Sequence, residues 1–97
     1  MDVRFELNGL LFVWHTDKAK RNRRKHGIGF EEAAEVFFDP FFRLVEASRN
    51  EDARDVVIGS DTRGRMLYVV HIEFEDEYIR IISARNATRE ELKDHDS

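Results

Sequence analysis

Six of the eight residues from Lys18 to Lys25 are lysine or arginine, and His26 follows directly. Cations this dense beside an imidazole suit chemistry on a phosphodiester. The imidazole can take and return a proton, and the cations can neutralise charge that develops on phosphorus-bound oxygens. They also gain affinity for a phosphate backbone by releasing its counterions. A charge run is more often a solvated helix face. Here the run stands in a chain of net charge -4, and that contrast favours a phosphate-binding face.

Two further sets of residues could carry chemistry. His71 and Glu73 lie two apart in a strand-like run, on the face shared by Leu67 and Val69, so their side chains are neighbours. A His-x-Glu pair can hold a metal, but without a third ligand it reads as an ion pair or a solvent contact, and no metal or other cofactor is expected. Arg80 points away from Ile79 and Ile81, and Arg85 has the other parity just past the expected strand end. An arginine within a run of isoleucines is either salt-bridged or free to grip a phosphate with two donors. The chain has no cysteine, no nucleophile motif and no glycine-rich phosphate loop. What survives is metal-free acid–base chemistry by His and Lys/Arg. RNA cleavage suits that set: a base takes the 2′-hydroxyl proton, cations stabilise the phosphorane and an acid protonates the leaving oxygen.

The elements that must position these groups follow from the pattern. Val3–Leu7 and Leu10–Trp14 flank Asn8-Gly9, the strongest short hairpin signal. Residues 18–26 read as a helix capped by Asp17 and stopped by Gly27, with Ala19, Asn22 and His26 on the inward face. Asn22 there reads as a backbone-bonded structural group. A second helix runs from Gly29 to Phe38, with Phe30, Ala33, Ala34, Phe37 and Phe38 toward the core, and Asp39-Pro40 ends it. Phe41–Val45, Arg54–Gly59, Met66–Phe74 and Tyr78–Ala84 read as antiparallel strands, with a polar loop over 47–53. Thr88-Arg89-Glu90-Glu91 is a capping box opening a short C-terminal helix.

Ninety-seven residues make one α+β domain, 1–97, burying about 60–65% of its extended surface. Its apolar runs are too short to span a membrane, no secretory leader is recognisable, and the absence of cysteine fits a reducing cytoplasm. Between residues 17 and 26 six basic residues oppose one acid, giving +5 and leaving -9 for the rest of the chain. That asymmetry suggests one face for an anion and another for a basic partner.

Lys18-Ala19-x-x-Asn22-x-x-Lys25-His26-Gly27, Phe30-Glu31-Glu32-Ala33, Phe38-Asp39-Pro40, Ile58-Gly59 and the run from Arg80 to Glu91 occur in this order. Together they resemble the BrnT family of toxins, from about Trp14 to Glu91. The resemblance implies a fold similar to RelE-type toxins and a metal-independent ribonuclease that cuts RNA, mRNA above all, and so blocks translation. It also implies a BrnA-like antitoxin partner, through which alone the toxin reaches DNA. Carried over by position, Lys25, His26, Arg80 and Arg85 are the catalytic candidates. Lys18, with Arg21 and Arg24 of the same run, forms the RNA-binding set. Phe12-Val13-Trp14-His15 stands where the family commonly has Phe-Glu-Trp-Asp, and His95 where it often has Tyr. Another reading of the same resemblance is a non-catalytic subunit that only binds antitoxin in a repressor complex.

Overall fold

The computed structural model describes residues 1–45 and 54–96, the last three by backbone alone. The polar loop expected at 47–53 and the side chain of His95 lie outside the described residues. The element order is β1 (Asp2–Leu7), β2 (Leu10–His15), α1 (Thr16–His26), α2 (Phe30–Glu35), a 3-10 turn (Val36–Phe38), β3 (Arg43–Val45), β4 (Asp55–Ser60), β5 (Met66–Phe74), β6 (Tyr78–Asn86) and α3 (Arg89–Asp96). Asn8 and Gly9 adopt φ of 49° and 87°, as a two-residue hairpin turn requires.

The described strands form one mixed sheet in the order β1-β2-β6-β5-β4-β3. The meander from β3 to β6 is antiparallel, as its pattern predicts. The N-terminal hairpin joins it through a parallel contact that no local pattern announces: Phe12 pairs with Ile79 and Val13 with Arg80. Beyond that short contact β2 stays paired with β1 but parts from β6, and the chain turns directly into α1.

One sheet face carries the core. Phe12, Trp14, Val57, Leu67, Val69, Ile81 and Ala84 pack against Ile28, Phe30, Ala33, Ala34 and Val36. Phe12 meets Phe37 at 5.3 Å between ring centroids, and Trp14 meets Phe30 edge-on at 5.7 Å. The end of the second helix is pinned to β4. Asp39 Oδ2 accepts the Ser60 N–H at 2.8 Å, and a Cβ at Gly59 would lie 2.9 Å from Val36 Cγ1.

The start of α1 differs from the sequence reading. His15, not Asp17, is the N-cap, and its Nδ1 accepts the Asp17 N–H at 3.1 Å. The helix begins straight off a strand, so the last strand residue supplies the cap. Asp17 sits in the first turn, where its charge favours the helix dipole. Gly27, at φ 72°, closes the helix with its N–H donating to Arg23 O.

Candidate functional site

Helix α1 lies along the edge of β6 that β2 has vacated, and Asn22 makes the junction. Its Nδ2 donates to Ala84 O at 2.8 Å and to Ile28 O at 3.1 Å, while its Oδ1 accepts the Ala84 N–H at 3.1 Å. The carboxamide thus stands in for a neighbouring strand, and its role is structural, as its inward position suggests.

This junction fixes the faces of α1. Lys18, Arg21, Lys25 and His26 line a groove of about 340 Å³ with Asn22, Ile82 and Ser83. Lys20 and Arg23 turn toward a second cavity beside Trp14 and Phe30. Arg24 is exposed and borders neither. Of the seven residues around the groove four are cationic or imidazole, and none is a carboxylate.

The strand arginines stand next to this groove in sequence and on one face. Val70 pairs with Ser83 but His71 with Ile81, so Ile82 is an extra, bulged residue in β6. The bulge reverses parity: Arg80 opposite Ile72, Ser83 opposite Val70 and Arg85 opposite Tyr68 all share the face away from the core. The strand also runs on to Asn86. Arg85 is therefore not the odd-parity residue beyond the strand that simple alternation predicts.

Both arginines have carboxylate partners. Arg80 Nη2 lies 2.9 Å from Asp2 Oδ2, and because β2 separates β6 from β1, the pair must reach across it. The hydrogen bond from Arg80 holds the Asp2 carboxyl below its usual pKa, and Asp2 in turn raises Arg80. Arg85 donates to both Glu91 oxygens, at 3.0 and 2.9 Å, and its guanidinium lies 3.9 Å from the Tyr68 ring centroid. The Arg85 bond lowers the Glu91 pKa and raises that of Arg85.

A family model described as the ribonuclease toxin BrnT of a type II toxin–antitoxin system matches residues 14–91. The chain belongs to the BrnT family. The fold is also similar to a crystal structure of the Brucella abortus ribonuclease toxin BrnT, with a TM-score of 0.63 and 20% identity over 78% of this chain and 94% of that one. No curated protein matches the chain.

Much of the BrnT-like pattern proves to be scaffold. Asn22 holds β6, Asp39 holds β4, and Gly59 leaves room for the turn above it. Thr88 and Glu91 form the reciprocal capping box, with Thr88 N–H donating to Glu91 Oε1 at 2.7 Å. His15, where the family commonly has Asp, still performs an N-cap's task through its ring nitrogen. Lys18, Lys25 and His26 of the pattern line the groove instead. Ile82, Ser83 and Asp2 escape sequence reasoning. Ile82 and Ser83 lie between the two arginines, a usable signal, whereas nothing local ties Asp2 to Arg80.

His71, read as a solvent contact or ion pair, has no exposure to solvent: it is fully buried against Phe37, whose ring centroid is 4.8 Å away, and Glu73 Oε2 lies 4.0 Å from its Nε2. It faces inward because His71, Val69 and Leu67 share the core face.

Proposed function

We propose that this chain is a metal-independent endoribonuclease that cuts RNA, chiefly mRNA, in the groove between α1 and β6, and so inhibits translation. The observation that carries the proposal is the groove itself: Lys18, Arg21, Lys25 and His26 converge on one concave surface with no carboxylate among the described residues that line it. An RNA backbone would lie along the cations, the imidazole would exchange the 2′-hydroxyl proton, and Lys25 would stabilise charge on the phosphorane. Arg80 and Arg85, on the same sheet face as Ser83, would hold phosphates flanking the scissile one; Arg24 would add attraction at longer range. The partner is a BrnA-like antitoxin in the cytoplasm, and contact with DNA comes only through it.

One observation favours the non-catalytic alternative, since both strand arginines already hold carboxylates. Expression of the chain alone in a bacterial host, with transcript ends mapped, separates the readings. Wild type should produce new RNA ends and slow growth. His26→Ala, checked for folding by circular dichroism, should lose about a hundredfold or more of the cleavage. Folded wild type that produces no new ends without antitoxin overturns the ribonuclease reading.

A further inference from the structure

Asn22, Asp61 and His71 are the buried polar or charged side chains among the described residues. Asn22 is fully bonded. Asp61 accepts from Arg63 N–H, Arg65 N–H and Arg65 Nε. His71 is different: its Nε2 is buried without a hydrogen-bond partner. Its Nδ1 lies 3.4 Å from Val69 O, which directs the ring proton to that nitrogen and leaves Nε2 as a bare lone pair.

That lone pair opens onto carboxylates. Glu73 Oε2 is 4.0 Å from Nε2, and Asp55 on β4 is the cross-strand partner of His71 on β5. The ligand atoms of the three residues all lie within 4.8 Å of one another. Electron-pair donors gathered in this way repel unless a cation sits between them. We propose that Asp55, His71 and Glu73 form a binding site for a divalent transition-metal ion of the zinc type.

The donor set suits such an ion. One imidazole and two carboxylates, without thiolate, are borderline ligands. An Nδ1–H turned to a backbone carbonyl is the usual outer partner of a ligating histidine. Tetrahedral zinc bonds of about 2.0–2.2 Å put donors roughly 3.3–3.5 Å apart, so the triad must close by up to about 1.5 Å. Glu73 and Asp55 are exposed and can swing inward, and their exposure gives the ion its path in. Water would complete the shell. The bound ion would tie β4 to β5. None of its ligands lines the basic groove, so it would act on stability rather than on cleavage.

The test is zinc titration of the metal-stripped full-length protein by calorimetry and thermal melting, with the histidine ring nitrogens followed by long-range proton–nitrogen NMR. One equivalent should bind, raise Tm and move the His71 resonances while leaving those of His15 and His26 in place. Asp55→Asn and Glu73→Gln, both at exposed positions, should keep the fold and weaken binding at least about tenfold, the cost of losing even an outer partner. Folded wild type that binds no zinc overturns the proposal. So does binding that moves another histidine, or that neither variant weakens.

Discussion

Asn22 satisfies both backbone groups of Ala84, its Oδ1 accepting the N–H at 3.1 Å and its Nδ2 donating to the carbonyl at 2.8 Å. The two residues are 62 apart in sequence. Where β2 leaves β6, an open strand edge would bury two unpaired polar groups, and the carboxamide supplies what a strand would have supplied. It also sets the rotation of α1, and with it the side chains that face β6.

Replacing Asn22 with Leu would fill the space but leave the Ala84 pair and Ile28 O without partners. The expected loss is about 2–4 kcal/mol, from a few unsatisfied buried groups. For a domain of this size that lowers Tm by at least about 8 °C. Urea melts of Asn22→Leu beside wild type measure it. A loss under about 0.5 kcal/mol, the level of an ordinary surface change, would mean that water replaces the carboxamide and the junction is not structural.

The groove makes a prediction in salt. Each cation that neutralises a phosphate of single-stranded RNA contributes about 0.7 to the slope of log affinity against log salt. Lys18→Ala and Arg21→Ala should each weaken binding of an uncleavable oligonucleotide and flatten that slope by about 0.7. Arg63→Ala, in the exposed turn between β4 and β5, should leave the slope as it is. Fluorescence anisotropy at several salt concentrations checks this, and equal slopes for all variants would remove the groove from RNA binding.

Asp2 occupies the guanidinium of Arg80 and competes with any phosphate for the same donors. Asp2→Asn should therefore raise RNA affinity at low salt, by about twofold to fivefold, as expected for release of an exposed ion pair. Arg80→Ala should abolish that gain in the double variant. Should Asp2→Asn weaken binding instead, the pair itself positions Arg80 for RNA.

The unequal legibility of these features in the sequence has a physical pattern. Local devices can be read directly: Asn8-Gly9 demands its turn, Gly27 stops its helix, and Thr88 with Glu91 makes its capping box. The inward face of α1 is legible because a 3.6-residue period puts Ala19, Asn22 and His26 together. Features set by strand register are hidden. The bulge at Ile82 puts Arg80 and Arg85 on one face although their spacing says otherwise. His71 acquires Asp55 only through β4–β5 pairing, and Arg80 acquires Asp2 only through the parallel contact of β2 with β6. For His15 it is ring chemistry that sequence preference obscures, since histidine is not among the favoured N-cap residues and caps here through Nδ1.

Acid should expose the ion pair of Arg85 with Glu91. Glu91 has its pKa lowered by its hydrogen bonds from Arg85, below the ordinary 4.5 that it regains on unfolding. A carboxylate depressed in the folded state binds fewer protons there than when unfolded. Its contribution is thus fully present above about 4.5 and is lost as pH falls through the folded value. Glu91→Gln tests this cleanly, because glutamine can still close the capping box on Thr88 while carrying no charge for Arg85. At neutral pH the variant should lose no more than about 1 kcal/mol, since the pair is partly exposed and screened by solvent. On acidification through the folded value wild type should lose that margin and the two stabilities converge, whereas equal stabilities already at neutral pH would mean that the charge of Glu91 beside Arg85 adds nothing to the fold.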